Sequence, residues 1–536
     1  MNEGYHPVSG GLPEELKLID LDDVLLHFGK YLDHFLLDPA VAVCYINRLL
    51  NEPDLSNHRA ACECLAYICS KYIKINAFEI SGHEIYNSIF GNVPNAALYG
   101  YLKKQNSNDY WSKKLHHLTK HSLDHAMDGL WPYFVKTPHN LVLADMLLNL
   151  FLQGGRDIAP IVERVETPPP FRADWQRRLF LAYASVNAVP QALDIWESIR
   201  NQVRDEVVLN HAAEILVKCG DRGGAVSLYE DSLTLDPRQG PVRRRVRELR
   251  SPTVPDKSLL SSLATNIYLY SYNKADILGD TLASLARCDL GASRIKILLN
   301  GCTDDSLAVV DKARSFFPNN AFEVLPLPIN IGAPAARNWL IAQPETGQAD
   351  HTVFLDDDVL LEPDFLHHFL TTAASRPNCG VVGCKVLTPG VSPRYQYLYR
   401  YIALARPGLL RISLDTPNNQ FDNGVYDFVR DTLNVMGCCH MFTRQALLDV
   451  PTFDLCFSPS QMDDIAHDFD LALRGHAVVY CGLVGCVHRQ MTGNTQSARR
   501  EAAKRGNLLG NDVKFYYRFQ DHMEALARLG QDRLDA

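Results

Sequence analysis

Apolar residues follow two different spacings along this chain, and the spacing changes near residue 251. From about residue 13 to 250 they recur every three or four positions, as in Leu18, Leu21 and Leu25, which predicts amphipathic helices almost throughout. Beyond that point, short β-branched and apolar runs alternate with helical stretches. These runs lie at 266–272, 294–300, 321–327, 351–357 and 380–387. Strands that alternate with helices predict a mostly parallel sheet covered by helices, an α/β fold that follows an all-α region.

Changes in composition predict where these regions meet. The segment SPTVPDKS, 251–258, carries two prolines among polar residues, which is typical of a linker. The predicted regions are an α-helical domain at 1–250, a linker at 251–262, an α/β domain at 263–500 and a helical extension at 501–536.

Part of the helical domain, 175–240, resembles tetratricopeptide repeats. Ala192 and Trp196 in ALDIWESI recur as Ala225 and Tyr229 in AVSLYEDSL. Small residues at these positions let the two helices of a pair touch. Stacked repeats present concave surfaces suited to peptides, so the resemblance implies that this domain recruits a protein acceptor or a partner protein.

Composition and charge exclude several classes of function. The 536 residues are 46% hydrophobic with a net charge of −9, and without a clustered basic face we expect no nucleic-acid partner. The one basic run, RRRVRELR at 243–250, is expected to be a solvated helix face, with an anion or membrane contact as the alternative. Fourteen cysteines without framework spacing suit a reducing compartment.

The sequence also bears on location. The N-terminal residues lack a secretory signal, and no run approaches about 18 apolar residues, the length of a spanning helix. We therefore expect a cytoplasmic protein without a transmembrane segment, with peripheral contact at the inner face of a membrane as the alternative. The oligomeric state is unknown at this stage.

The clearest chemical motif is FLDDDVLLEPDFL at 354–366, where an apolar strand ends in three aspartates. Alternate residues of an extended chain point the same way, so Asp356 and Asp358 can face one ligand while Asp357 faces elsewhere. Carboxylates at a strand end suit a hard divalent ion that also binds phosphate oxygens. The motif predicts a site for Mn²⁺ or Mg²⁺.

The segment from about 264 to 490 resembles the family 2 glycosyltransferases of the GT-A fold. Four further elements carry the resemblance alongside the D-x-D: a Tyr-Asn turn after the first strand, LLNGCTDDS after the second, NIGAPAARN, and a histidine that ends a late strand. The matching residues are Tyr272, Asn273, Asn300, Asp304, Asn330, Gly332, Arg337 and His488. This chain departs from the family where Asn300 replaces an acidic residue, which leaves the preferred base and sugar open.

The resemblance implies roles for these residues. Asp304 would lie near the nucleotide base and Arg337 near the sugar diphosphate. Asp356 would contact the ribose or a metal-bound water, Asp358 would ligate the metal, and His488 is a further candidate ligand. The predicted nucleotide-sugar site comprises Tyr272, Asn273, Asn300, Asp304, Asn330, Gly332, Arg337, Asp356 and Asp357.

The basic stretch that follows His488 allows two interpretations. It contains Arg489, Arg499 and Arg500, and it either orders over the diphosphate or simply connects two elements.

The family also implies a catalytic base, an aspartate near the start of a helix, and SPSQMDDIAHDFDLALRG at 458–475 offers two registers. Asp464 as base, with Asp463 as its companion, places the following glycine and strand aromatic where the family has them. Asp468 is the second choice. Ser458 and Ser460 upstream are expected to cap the helix.

The sequence therefore predicts a metal-dependent, inverting and non-processive glycosyltransferase. We expect it to move a sugar from a nucleotide-sugar, with a UDP-sugar as the expected donor, to a hydroxyl of a protein or glycan. Two alternatives remain: a nucleotidyltransferase of similar fold, and a helical-repeat interaction protein with an inactive transferase domain.

Overall fold

The structure, a computed structural model, describes residues 12–406, 420–489 and 502–529. The described part of the chain before residue 265 is helical, as predicted. Its α-helices are α1 Leu12–Lys17, α2 Leu21–His34, α3 Pro39–Leu50, α4 Arg59–Ile75, α5 Ile80–Phe90, α6 Ala96–Gln105, α7 Tyr110–Thr119, α8 Leu123–Lys136, α9 Leu141–Gln153, α10 Ala159–Arg164, α11 Arg172–Ser185, α12 Val189–Ile199, α13 Glu206–Lys218, α14 Arg222–Leu235, α15 Gly240–Arg250 and α16 Ser258–Ser262.

Polar caps define where several of these helices begin. The Asp38 carboxylate accepts from the backbone N–H of Ala40 at the start of α3, and Asp205 does the same for Val207 at the start of α13. Such caps satisfy N–H groups that have no partner within the helix. Within these helices, the apolar faces predicted from the sequence pack against neighbouring helices.

The described residues of the second half form a ten-stranded mixed sheet covered by helices. Its strands are β1 Thr265–Ser271, β2 Arg294–Asn300, β3 Phe322–Leu327, β4 His351–Leu355, β5 Val359–Leu360, β6 Cys379–Thr388, β7 Arg394–Tyr397, β8 Val429–Thr432, β9 Cys439–Thr443 and β10 Ala477–His488. The helices of this half are α17 Ala275–Leu285, α18 Ser306–Ala313, α19 Ala333–Ile341, α20 Phe365–Ala374, α21 Arg444–Asp449, α22 Asp463–Leu473, α23 Ala502–Phe519 and α24 Met523–Leu529.

The order of the strands locates the ligand crevice. The sheet runs β3-β2-β1-β4-β9-β6-β10-β5, with β7 beside β6 and β8 beside β10. Strands β1 to β4 pair in parallel, and the chain order reverses between β1 and β4. In open α/β sheets the ligand lies at such a reversal, outside the carboxyl ends of the strands.

Aromatic rings join the helical region to the sheet. Phe35, after α2, stacks on Tyr399 with ring centroids 5.0 Å apart, and His34 stacks on Tyr401 at 3.9 Å. All four side chains are buried. The two regions therefore share one hydrophobic core.

The basic run at 243–250 lies at this junction, so the expectation of a solvated face is wrong for part of it. Arg245 is 5% exposed and pairs with Glu214 of α13 through an Nε–Oε1 distance of 2.7 Å. It also donates to the backbone carbonyl of Asp427. Arg244 is equally buried and donates to the carbonyl of Asp33. Basic residues of α15 thus tie the helices to each other and to the sheet region.

The C-terminal helices pack on α22. Phe469 of α22 contacts Phe515 and Phe519 of α23, each at a centroid distance of 5.3 Å. In the described residues, no helix combines the length and the hydropathy that crossing a membrane would require. Arg499 and Arg500, named above for the basic stretch, lie outside the described residues.

Candidate active site

The carboxyl ends of β1 and β4 and the end of β10 meet beside the reversal in strand order. Leu269 of β1 lies opposite Leu355 of β4, just before the three aspartates. His488, the last residue of β10, pairs with Val359 directly after them. Residues far apart in sequence are therefore neighbours at one edge of the sheet.

Asp356, Asp358 and His488 form a cluster that can hold a metal ion. Each offers one ligand atom within 4.8 Å of the others. His488 Nε2 lies 3.0 Å from Asp358 Oδ1 and 4.0 Å from Asp356 Oδ2. Asp358 Oδ1 is buried, and the neighbouring His488 Nε2 is not well aligned for a hydrogen bond among the described residues. A cation at this position, or a proton on Nε2, would offset the cost of burying the charge. Two carboxylates and an imidazole therefore fit a divalent ion.

Lys274 is a candidate residue that sequence reasoning missed. Its Nζ lies 2.8 Å from Asp357 Oδ1 and 2.8 Å from Asp358 Oδ2. Burial alone would lower the pKa of Lys274, but the two carboxylates outweigh burial and raise it above its ordinary value. Burial alone would likewise raise the pKa of Asp358, but His488 and Lys274 hold it below its usual range. The sequence signal for Lys274 is its position directly after the Tyr-Asn turn.

Asp357 is not one of the three clustered residues, although it shares Lys274 with Asp358. It is 5% exposed and pairs with Lys274. Its proposed contact with the donor stays a prediction.

Arg337 joins the metal cluster to the acidic helix. It is 4% exposed, forms an ion pair with Asp463, and its Nη2 lies 3.6 Å from Asp356 Oδ1. Its guanidinium lies 5.2 Å from the ring centres of both Tyr270 and Phe453. Burial alone would lower the pKa of Arg337, but the surrounding negative groups raise it. Its expected contact with the diphosphate stays a prediction, since its described partners are these acids.

The three candidate acids of α22 have different environments. Asp463 is 2% exposed and paired with Arg337. Asp464 is half-buried, and its Oδ2 accepts from the Gly437 N–H at 3.0 Å. Asp468 is fully buried and accepts from the Asn434 side chain and the Val435 N–H at 2.8 and 3.0 Å. Burial raises the pKa of Asp468 well above its ordinary value.

The start of α22 differs from the expected capping pattern. Met462, with a φ of 71°, precedes the helix, and no side chain among the described residues caps it. The prediction that Ser458 and Ser460 cap it is therefore wrong. The loop is instead held through its backbone: Pro459 O accepts from Ala333 N at 2.8 Å. This contact fixes the loop against the start of α19.

The predicted nucleotide-side residues cluster around the ends of β1 and β2. Asn273 Oδ1 accepts from Thr303 N at 2.8 Å, and Asp304 Oδ2 accepts from Ala275 N at 3.0 Å. Tyr272 is 47% exposed, which leaves its ring accessible to a base.

Asn300 and Asn330 hold the NIGAPAARN loop against β2. The Asn300 amide donates to Asn330 Oδ1 at 3.0 Å, and Asn330 Oδ1 also accepts from Gly332 N at 2.8 Å. Gly332 has a φ of 83°, and an added Cβ would lie 3.2 Å from Pro459 O. Glycine therefore suits the point where this loop meets the loop before α22.

Comparison with known families identifies the second half of the chain. Residues 266–507 match the family described as "Glycosyltransferase like family 2". The poly-beta-1,6-N-acetyl-D-glucosamine synthases of Staphylococcus aureus strains MSSA476 and MW2 are each 23% identical over 232 residues. That alignment covers 43% of this chain and 51% of each relative. The chain thus spans about half the length of the curated relatives that it matches.

Solved structures share weaker similarity. The mannosyltransferase PcManGT from Pyrobaculum calidifontis, in complex with GDP-Man and Mn²⁺, is 18% identical with a TM-score of 0.36, over 60% of this chain and 81% of that one. GalNAc-T7 with UDP, GalNAc and Mn²⁺ is 11% identical with a TM-score of 0.36, over 50% of both chains. TarS of S. aureus is 16% identical with a TM-score of 0.32, over 48% of this chain and 44% of that one.

The family match confirms the predicted fold class and favours the glycosyltransferase interpretation over the nucleotidyltransferase one. A mixed, mostly parallel α/β sheet follows a long all-helical region. Residues 266–507 of this chain belong to the family 2 glycosyltransferases and form a domain of the GT-A type.

Proposed function

We propose that this chain is a metal-dependent transferase that moves a sugar from a nucleotide-sugar to a hydroxyl of a protein or glycan, with inversion and without processivity. A UDP-sugar is the first donor to test. The observation that carries the proposal is the path of contacts from the metal cluster to the acids of α22. Arg337 contacts Asp356 of that cluster and pairs with Asp463, which directly precedes Asp464.

Asp356, Asp358 and His488 would hold Mn²⁺ or Mg²⁺. A bound ion supplies a Lewis acid that offsets negative charge on the departing nucleoside diphosphate. Lys274 holds one oxygen of Asp358 and leaves the other directed toward His488. The lysine thus orients the carboxylate and reduces the repulsion among the aspartates.

Asp464 is proposed as the base that takes the proton of the acceptor hydroxyl. Its two oxygens accept from the backbone N–H groups of Gly437 and Ile465 at 3.0 and 2.9 Å, which fixes the orientation of the carboxylate. Asp464 is half-buried, whereas Asp468 is fully buried, so Asp464 is the one of the two that can meet an acceptor. A single base on the acceptor side suits direct displacement with inversion.

The helical region is proposed to act on the acceptor side. Support comes from a cavity of about 330 Å³ between its helices and the segment 420–427. Apolar and aromatic side chains line it together with amides and charged groups, among them Leu36, Asn210, Arg238, Phe421 and Tyr426. Such a mixed apolar and polar lining suits a ligand that carries both kinds of group, as a peptide does.

The proposal is tested with the full chain and a panel of nucleotide-sugars. Donor binding is measured by thermal shift, and turnover by release of nucleoside diphosphate, with Mn²⁺, with Mg²⁺ or with EDTA. We expect stabilisation and turnover with at least one donor, lost in EDTA, and an inverted anomeric configuration in the product. If no donor in the panel binds or turns over, the transferase proposal fails.

Three aspartate variants separate the proposed roles. Asp358→Asn should weaken metal binding and turnover together. Asp464→Asn should keep donor binding but reduce transfer by roughly 10²–10⁴-fold, the usual contribution of a general base. Asp468→Asn should retain both binding and transfer, since its side chain is fully buried. If Asp468→Asn instead lost transfer while Asp464→Asn kept it, the base assignment would be wrong by one helical turn.

A further inference from the structure

A bulge in β7 turns Gln396 toward the end of β10. Tyr395 lies opposite Leu387 and Tyr397 opposite Val386, so two steps along β7 match one step along β6. Gln396 is the additional residue between them. β-Bulges re-aim a side chain and are frequent next to active sites.

The side chains on either side of the bulge point in different directions. The Tyr395 hydroxyl donates to Asp422 Oδ1 at 2.9 Å, in the segment that contacts the helical region. The Gln396 side-chain nitrogen Nε2 lies 3.0 Å from His488 Nδ1. Gln396 therefore contacts the ring nitrogen of His488 that faces away from Asp358.

One atom of Gln396 is left without a partner in this arrangement. Its Oε1 is buried and forms no hydrogen bond within the described residues. The nitrogen and oxygen of a glutamine amide have nearly the same shape, so both amide orientations fit the same space. In the reversed orientation Oε1 lies beside His488 Nδ1 and can accept a hydrogen bond from it.

The two orientations select different tautomers of His488. When the amide nitrogen donates to Nδ1, the ring proton is on Nε2, and Nε2 has no lone pair for a metal. When Oε1 accepts from an N–H at Nδ1, Nε2 is free to ligate. A metal-bound histidine usually donates its other N–H to an oxygen, which fixes the ring and its tautomer.

We propose that Gln396 is a positioning residue that presents His488 Nε2 to the metal by accepting a hydrogen bond from Nδ1. This rests on the proposed function, in which His488 is a metal ligand. The bulge supplies the geometry, since it directs the Gln396 amide to the back of the His488 ring.

The test measures Mn²⁺ binding to the full chain from the electron paramagnetic resonance signal of free Mn²⁺. Gln396→Met keeps a similar length but removes the acceptor, and should weaken Mn²⁺ binding by about 10–100-fold. Gln396→Glu restores an acceptor oxygen and should bind within about threefold of the parent, as carboxylates commonly fill this role. Gln445→Leu, at an exposed amide on α21, is the control and should leave binding unchanged.

A second readout reports on the ligand itself. Electron spin echo modulation of bound Mn²⁺ should show a nitrogen coupling in the parent and in Gln396→Glu, and a reduced one in Gln396→Met. In a His488→Ala background, Gln396→Met should have no further effect on affinity. Melting in EDTA confirms that each variant is folded.

The outcomes separate this inference from the proposed function. If the parent and Gln396→Met bind Mn²⁺ equally and show the same nitrogen coupling, the inference is overturned while the metal site stands. If Gln396→Met weakens binding equally with and without His488, Gln396 acts elsewhere and the inference is again overturned. If the parent binds no Mn²⁺, both the proposed metal site and the inference fail.

Discussion

Gly437 contacts both the proposed base and the buried arginine of the candidate site. Its N–H donates to Asp464 and its carbonyl accepts from Arg337. A Cβ built at this position would lie 2.9 Å from Asp464 Cβ and 3.0 Å from Arg337 Nη2. The absence of a side chain is therefore what lets the proposed base and the buried arginine share one backbone segment.

Gly437→Ala should accordingly impair chemistry more than stability. Overpacking of this kind costs about 1–3 kcal/mol, whereas a displacement of about 1 Å at a reacting group can cost roughly 10²-fold in rate. The measurement is the transfer rate together with the melting temperature. Gly100→Ala, where an added Cβ meets nothing within 4 Å, is the control and should leave the transfer rate unchanged. An unaffected transfer rate in Gly437→Ala would show that this contact does not position the base.

Helix α22 is the element that carries the acid groups, and three contacts hold it in place. Asp463 pairs with Arg337 near its start, and Phe469 packs on α23 near its end. Between them, Asp468 accepts from Asn434 and Val435, which precede Gly437. We conclude that Asp468 anchors the helix to the segment that also binds Asp464.

This anchoring predicts a particular dependence of stability on pH. In an unfolded chain Asp468 would ionise near pH 3.9, whereas burial keeps it protonated to a higher pH in the folded protein. The folded state then holds the additional proton between the two pKa values, so this group's contribution to stability falls as the pH rises through that range. Asp468→Asn removes the titration. Its melting temperature relative to the parent should therefore rise between pH 5 and pH 8.

The size of that effect is bounded. It cannot exceed about 1.4 kcal/mol of unfolding free energy per pH unit. A difference in melting temperature that stays constant across this range would mean that Asp468 is already ionised in the folded protein.

The spacing of apolar residues predicted the strands and helices well, because each kind of element buries side chains at its own regular interval. The run 294–300 became β2 with the same bounds, and 266–272 became β1 one residue earlier. The positions of the D-x-D and His488 at strand ends were also predictable, whereas their roles in binding a metal stay predictions.

Contacts between distant residues were not predictable in this way. Lys274 pairs with two aspartates more than eighty positions along the chain. The spacing of apolar and polar residues in the sequence gives no information about such a distant partner. Gln396 is directed by a bulge, which depends on the partner strand and not on its own sequence. The burial of Arg245 likewise required knowledge of where Glu214 and the sheet would meet it.

At the scale of the whole molecule, the helical region and the sheet enclose the cavity beside 420–427. Lys218 Nζ donates to the Asn423 carbonyl at 3.0 Å, and the Asn187 amide donates to that of Asp422 at 3.3 Å. Gln420 in turn donates to Asp38 at 2.7 Å. The helices therefore hold one wall of the cavity by its backbone.

A bulky residue in this cavity tests the proposed acceptor role. Ser185 lines this cavity and is half-buried. A tryptophan at this position would fill part of the cavity, so Ser185→Trp should reduce transfer to a protein or glycan acceptor while donor hydrolysis continues. Ser198→Trp, on the exposed side of α12, is the matched control and should affect neither rate. The measurement compares nucleoside diphosphate release with and without acceptor. An equal loss of both rates in Ser185→Trp would assign the helices a purely structural role.

The stacked rings at the junction limit how this chain can diversify. Phe35 and His34 cover Tyr399 and Tyr401, and all four rings are buried. Exchanging the helical half for another would leave large aromatic surfaces facing water, a cost of several kcal/mol. The helical region is therefore not an interchangeable module: replacing it as a unit would also require new residues at Tyr399 and Tyr401.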